Sequence, residues 1–435
     1  MAKIRIKGDT SGYIDIEAPA EAGATTLSLP ATAGNILTSA DVLDSDQIGT
    51  GAITAAKISD GEVSEAKLAT GAVTSAKIAS GAVEAAMTTQ IGGRRNLIIN
   101  GAMQVAQRGT SAAGVTSNGY HTVDRWYTQL NSAGTWTITQ ETDAPDGFGH
   151  SMKYLCTSGF TQVSQTRLLP IYYFEGQNVQ QLKYGTSDAQ PVTLSFWVKC
   201  NKTGVGQVNA RNVDANRING GTYTVNSANT WEYKTITFSG DTVSSITNDN
   251  TVGFWIEWWL VSGSDFDTGS VPTSYEFRNN SDRDAAGTLD LDATNDYWQI
   301  TGVQLEVGDT ATPFEHRSYG EELAACQRYF QKYTGVSTNS TFPNTAPAVA
   351  WTTNNTSNGA VGAIVPLRVA PTVSESGLQL RSPSDGTFSA TFSFSSQNIN
   401  GTMVSSSLSS GLIAGNVYYI TPTSTSSYIQ LDAEL

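Results

Sequence analysis

An aliphatic residue recurs at every fifth position across residues 48–83: Ile48, Ile53, Ile58, Val63, Leu68, Val73, Ile78 and Val83. A ten-residue unit lies over this pattern, with glycine at 51, 61, 71 and 81 and lysine at 57, 67 and 77. A fixed short period implies a stacked or bundled architecture. A step of five residues turns about 140° around an α-helix, so these positions form no apolar stripe. Heptads are absent, which excludes a coiled coil, and glycine comes every tenth residue where collagen needs every third. With one large apolar residue in five, a single chain cannot bury this segment. Three chains wound together can, each supplying a residue to successive layers on a common axis. The expectation is a repeat-built trimeric shaft over residues 41–92, spanning up to roughly 130 Å if extended. A disordered Ala/Gly/Ser linker is the alternative, opposed by the register kept over the whole segment. A pentapeptide-type β-solenoid ranks lower, because the stretch would make only about two turns where three or more stacked units are needed.

The shaft divides the chain. Residues 1–40 alternate at Ile4 and Ile6, at Tyr13-Ile-Asp-Ile and at Leu27-Ser-Leu, which reads as short strands with too little apolar mass for a domain. Residues 93–318 hold most of the aromatics and read as a jelly-roll-like β-sandwich. Its strands are expected at Trp136-Thr-Ile-Thr, Val192 to Lys199, Tyr233 to Phe238, Gly253 to Val261 and Trp298 to Val307. Turns are expected at Asn219-Gly-Gly, Ser239-Gly-Asp and Ser262-Gly-Ser-Asp. A short connecting helix over 319–334 follows, opened by a Ser318/Glu321 capping box and striped by Leu323, Cys326, Phe330 and Tyr333. That stripe packs either on its own domain or around a trimer axis. Residues 335–435 read as a small, polar C-terminal β-domain, with strands at Ala348-Val-Ala-Trp, Ala363-Ile-Val-Pro-Leu, Thr391-Phe-Ser-Phe, Val417-Tyr-Tyr-Ile and Tyr428-Ile-Gln-Leu. The fold class is mainly β.

Composition narrows the function classes. Asp plus Glu number 39 against 25 Lys plus Arg, for a net charge of −14. That balance argues against binding a phosphate backbone or an anionic membrane surface. No apolar run of 18 residues occurs, so no membrane insertion is expected. Three widely spaced cysteines, Cys156, Cys200 and Cys326, form no CxxC pair and suit folding in a reducing host cytoplasm without a disulfide framework. The start, Met1-Ala-Lys-Ile-Arg-Ile-Lys, has no apolar core, and no secretory signal is expected.

Several stretches resemble bacteriophage tail fibres. Gly8-Asp-Thr-Ser-Gly-Tyr-Ile-Asp-Ile-Glu-Ala-Pro-Ala through Leu27-Ser-Leu-Pro and Gly34-Asn-Ile-Leu-Thr resembles a recurrent N-terminal segment of such fibres. Decapeptides such as Gly71-Ala-Val-Thr-Ser-Ala-Lys-Ile resemble the shaft repeats that follow it, especially in phages of marine bacteria, cyanobacteria among them. Arg95-Asn-Leu-Ile-Ile-Asn-Gly-Ala-Met-Gln and Val123-Asp-Arg-Trp are similar to the start of the next fibre domain. Ile300-Thr-Gly-Val-Gln-Leu-Glu-Val-Gly and Cys326-Gln-Arg-Tyr-Phe are similar to its end. Beyond residue 335 only Pro366-Leu-Arg-Val-Ala-Pro-Thr looks familiar. The resemblance implies a homotrimeric virion tail protein, joined to the tail or an adaptor protein at its N-terminal end and adsorbing to host polysaccharide or lipopolysaccharide.

No catalytic motif is present: no GxSxG, Walker loop or HExxH. His121, His150 and His316 lack metal-ligand spacing and read as surface or capping residues. Asp290-Leu-Asp-Ala-Thr-Asn-Asp begins like a calcium loop and then departs from it at Thr294 and Asn295, so an acidic turn is expected, with no metal and no cofactor. Glycan recognition is better motivated, because sugar C–H faces stack on aromatics while hydroxyls pair with amides and carboxylates. Strand alternation puts Trp255, Glu257 and Trp259 on one mixed face and Trp197 and Lys199 on another, and these five are the candidate glycan-binding residues. The same tryptophans could instead cover the sandwich or face a neighbouring subunit. The expected function is therefore a non-enzymatic adhesin, bound through the sandwich or the C-terminal tip. A polysaccharide depolymerase is the alternative, needing paired carboxylates from among Glu257, Asp265 and Asp267, and a structural connector is a third.

Overall fold

The computed structural model describes residues 3–7, 13–17, 95–337, 341–342, 345–350, 356–382, 386–407 and 417–435. The chain divides into two compact units, Met1–Thr88 and Thr89–Leu435. In the first, β1 (Lys3–Lys7) and β2 (Tyr13–Glu17) pair antiparallel, with Ile4 opposite Ile16 and Ile6 opposite Ile14. The shaft positions Ile48 to Val83 lie outside the described residues.

The second unit is mainly β and opens with a sandwich of two antiparallel sheets. One sheet has eight strands: β4 (Gly119–Tyr120), β5 (Trp126–Asn131), β8 (Arg167–Glu175), β10 (Gly204–Asn212), β11 (Arg217–Val225), β13 (Val252–Trp258), β14 (Val261–Ser262) and β15 (Glu276–Phe277). They run in the order β15-β11-β10-β13-β8-β5-β4, with β14 also on β8. The other sheet is ordered β12-β9-β16-β7-β6-β3, built from β3 (Ser111–Val115), β6 (Thr135–Glu141), β7 (Ser151–Ser158), β9 (Val192–Cys200), β12 (Glu232–Phe238) and β16 (Tyr297–Val307).

Period-2 alternation fills the space between the sheets. Phe254, Ile256 and Trp258 face inward from β13, and Leu194, Phe196 and Val198 from β9, all fully buried. Phe196 and Trp258 meet edge to face at 6.0 Å. Each such side chain contributes about 1.5–3 kcal/mol by leaving water. The sequence places these strands well, but Asn219-Gly220-Gly221 is not the expected turn. It lies inside β11, laddered to β10, and must be glycine there: a Cβ at Gly221 would stand 2.3 Å from Ile236 Cγ2, and one at Gly220 would stand 3.0 Å from Asn209 Oδ1. The glycines let strands and side chains close in. In β16 a bulge between Thr301 and Gln304 centres on Gly302, whose φ of 60° is strained for any other residue.

The helix α1 (Tyr319–Gln327) carries the expected capping box: Glu321 N–H donates to Ser318 Oγ, and Ser318 N–H to the Glu321 carboxylate. It stops earlier than 334. Phe330 and Tyr333 belong instead to β17 (Phe330–Thr334), where they lie on opposite faces of the strand and both are buried. The stripe packs on its own chain, Cys326 in the sandwich core and Tyr333 in the C-terminal one.

Strand β17 starts the C-terminal region. It pairs with β26 (Tyr428–Asp432), which pairs in turn with β20 (Thr372–Ser376). A seven-stranded sheet adds β18 (Thr345–Ala350), β19 (Thr356–Gly362), β21 (Leu378–Ser382), β22 (Gly386–Phe388), β23 (Thr391–Asn398), β24 (Gly401–Ser407) and β25 (Val417–Pro422). Leu380, Tyr418, Ile420, Ile429 and Leu431 form its core. Residues 363–367, expected as a strand, are a bent connection. Pro366 has no N–H to give a ladder, and the segment is tied down instead by Ile364 N–H donating to Gln331 Oε1 and Leu367 N–H to the Ile399 carbonyl.

Ion pairs join the two β regions. Glu434 accepts from Arg125, and from Arg108 at 3.3 Å, while Arg108 also reaches Asp432 at 3.1 Å. Arg328 and the Tyr329 hydroxyl both donate to Glu175 of β8. No helix among the described residues is long and apolar enough to cross a membrane.

Candidate functional site

The outward face of the eight-stranded sheet holds three of the candidates. Register aligns Arg211, Trp255 and Tyr173 across β10, β13 and β8, and Asn209, Glu257 and Ile171 one step along. Tyr127 of β5 joins beside Ile171. The half-buried rings of Tyr127, Tyr173 and Trp255 follow one another at 5.4 and 5.3 Å, and the Arg211 guanidinium ends the row 4.0 Å from the Trp255 ring centre. Alternation makes this row, since each strand contributes one outward residue per pleat.

Glu257 is no surface carboxylate. It is fully buried and accepts five hydrogen bonds: from Asn209 Nδ2, Trp259 Nε1 and Arg283 Nε on Oε1, and from Trp255 Nε1 and Arg283 Nη2 on Oε2. Burial opposes its charge, yet Arg283 and Arg211 beside it hold the carboxyl down at about 2. A group ionised so firmly cannot act as a general acid near neutral pH. Its effect is to lock the edges of both indoles. Trp259 is buried too, packed against Phe266 at 5.1 Å with Arg283 over its ring. The loop after β14 brings Phe266, and the turn after β15 brings Arg283, over this half of the face, leaving Tyr127, Tyr173 and Trp255 as the accessible part. Asp265 and Asp267 are exposed on that loop.

Trp197 and Lys199 lie elsewhere, on the outward face of the six-stranded sheet. Trp197 stands 5.4 Å from Tyr233, its partner across β9 and β12. Lys199 is committed to Asp143 at 2.8 Å, and Asp143 also accepts from Trp231 Nε1. The five candidates are thus split between opposite sides of the sandwich and do not form one site.

Sequence reasoning missed Tyr127, Tyr173 and Arg211. Strand β8 reads as an apolar run broken by Pro170, and β10 as a Gly/Asn-rich stretch, so neither shows clean alternation. The available signal was the outward tyrosine in Tyr172-Tyr173. Among the described residues no group of three His, Cys, Asp or Glu is placed to hold a metal. In the Asp290–Asp296 turn, Gln162 Nε2 donates to Asp290 and Asp292, and Lys202 lies 3.6 Å from Asp296.

No protein-family model matches the chain, and no curated protein matches it in sequence. Similar solved structures include the enzymatically active domain of tailspike protein 4 of bacteriophage CBA120, at 11% identity over 49% of this chain and 21% of that one, with a TM-score of 0.27. The CBM22-1–GH10 modules of xylanase 10B from Clostridium thermocellum match at 11% identity over 47% of this chain and 29% of theirs, TM-score 0.25. The family 11 carbohydrate-binding module of the Clostridium thermocellum cellulase Lic26A-Cel5E matches at 10% identity over 47% and 99%, TM-score 0.23. With TM-scores this low, none of these likenesses carries an argument about function.

Proposed function

We propose that this chain is a homotrimeric phage tail-fibre adhesin that binds host envelope glycan at the outward face of the eight-stranded sheet, without cleaving it. The observation that carries the binding face is the Tyr127–Tyr173–Trp255 row, a half-exposed aromatic strip set on rigid strands. Rings presented this way offer apolar surface to sugar C–H groups, and the tyrosine hydroxyls offer polar partners beside it. Pre-organisation favours binding, because little side-chain freedom is left to lose. The low carboxyl value of Glu257 speaks against its serving a depolymerase. The viral role, the attachment of the N-terminal end to the tail or an adaptor, and the location in the virion tail rest on the tail-fibre resemblance of the segment junctions. The trimer rests on the repeat of residues 48–83.

The test is calorimetric titration of the full-length protein with envelope polysaccharide from a susceptible host, with reducing ends followed in parallel. Binding that weakens in Trp255→Ala, with no new reducing ends, is expected. Sustained release of reducing ends favours the depolymerase. Undiminished binding by Trp255→Ala overturns this face as the site.

A further inference from the structure

We infer that the glycan taken by this face carries an acidic substituent, a carboxylate or a sulfate or phosphate ester, held by Arg211 and Arg278 at the end of the aromatic row. The inference rests on the binding face proposed above and names its ligand class.

Four arginines are buried among the described residues, and three have a carboxylate: Arg125 has Glu434, Arg217 has Asp241 and Arg283 has Glu257. Arg211 has none, although it is only 5% exposed. Its Nε is buried and donates to nothing, and its Nη2 makes one long contact of 3.3 Å to Asn216 Oδ1. The nearby Glu257 carboxylate is already taken by five donors. Arg278 approaches the same oxygen, its Nε donating to Asn216 Oδ1 at 3.0 Å and its Nη1 to Asn280 Oδ1 at 2.9 Å. Two guanidinium groups thus share one neutral amide oxygen in a protein of net charge −14.

An unmatched buried cation is costly, and folding alone does not favour keeping one. Burial, with Arg283 and Arg278 nearby, pulls the Arg211 guanidinium down to about 10, even though Glu257 acts in the opposite sense. An anion brought by a ligand relieves that cost. Guanidinium forks suit planar carboxylates and tetrahedral oxyanions alike, through paired N–H donors. The position fits as well: a sugar lying along Tyr173 and Trp255 puts its substituents beside Arg211, the next residue in the row.

The experiment titrates the full-length protein with three forms of one host polysaccharide: native, carboxyl-reduced to neutral sugars, and stripped of sulfate and phosphate esters. Removing the relevant acid is expected to weaken binding by about tenfold to a hundredfold, the scale of a charge-assisted pair. Which treatment does so identifies the acid. Arg211→Met and Arg278→Gln are expected to bring the ratio of native to neutralised affinity close to one. Arg278 is half-exposed, so its variant guards against a fold lost at Arg211. Lys199→Met, on the opposite face, is the control and keeps the wild-type ratio. If all three polysaccharides bind equally well, or the arginine variants keep the ratio, the acidic-ligand inference is overturned while the glycan-binding face stands. If no form binds, the face itself is wrong.

Discussion

Arg283 grips Glu257 with both arms of its guanidinium, Nε 3.0 Å from Oε1 and Nη2 2.7 Å from Oε2, beneath a loop that hides the pair from water. Removing the arginine strands a buried carboxylate already receiving three other hydrogen bonds. Arg283→Ala is expected to cost about 3–5 kcal/mol, measured by urea unfolding. Pairing it with Glu257→Gln should recover part of that loss, because the stranded charge is gone. If the double variant is no more stable than Arg283→Ala, the pair is not the source of the cost.

Asp124 sets a pH dependence. It is fully buried, and burial pushes its carboxyl up to about 6 despite Arg108 at 3.8 Å and two hydrogen bonds from Gln107. The folded value lies above the unfolded one of about 3.9. Its contribution is therefore fully present below about pH 4 and is lost as pH rises through 6. Asp124→Asn should gain about 2 kcal/mol relative to the wild type between pH 4 and 7. Unfolding midpoints taken across that range check it, and a constant difference between the two proteins would assign the titration elsewhere.

The two aromatic faces should behave differently toward glycan. Tyr173→Ala removes the middle ring of the accessible row and is expected to weaken binding about three- to tenfold. Trp197→Ala, on the other sheet beside Tyr233, should leave affinity within about twofold. A larger loss at Trp197 moves the site across the sandwich. Adsorption competition with each purified variant reads the same ranking.

The clasp between the β regions is open to a proteolytic test. Glu434→Gln leaves the buried Arg125 without its carboxylate and loosens Arg108. The expected result is faster limited proteolysis near Arg328, where the helix gives way to β17, with a fall in unfolding temperature. Cleavage at wild-type rates would show that the Glu175 contacts of Arg328 and Tyr329 hold the junction by themselves.

Where alternation was clean, the sequence carried the fold. The strands at Val192, Tyr233 and Trp298 lie within a residue of their expected places, and the Ser318 cap is where its spacing puts it. Legibility failed where one residue serves two demands. Gly220 and Gly221 carry turn chemistry, yet the sheet needs them for close approach. Phe330 and Tyr333 have helical spacing, and only the ladder with β26 makes them strand residues on opposite faces. The layout of the candidate face was half legible: periodicity put Trp255, Glu257 and Trp259 on one side of β13 and its continuation. It could not show that a loop from beyond residue 263 would bury two of the three, because that depends on contacts between residues distant in sequence.

The C-terminal excursion has one more consequence. Strand β17 leads into it and β26 leads out, and the two are ladder partners with Thr334 opposite Tyr428. Everything between them departs and returns through points about one strand spacing, some 5 Å, apart. Such a segment is a cassette with two further ties, β20 on β26 and Arg368 on the Asn250 carbonyl of the sandwich: a different excursion that keeps the spacing and these ties fits the same two strands while the aromatic row stays where it is. The excursion and the outward sheet face that bears the row can then vary separately.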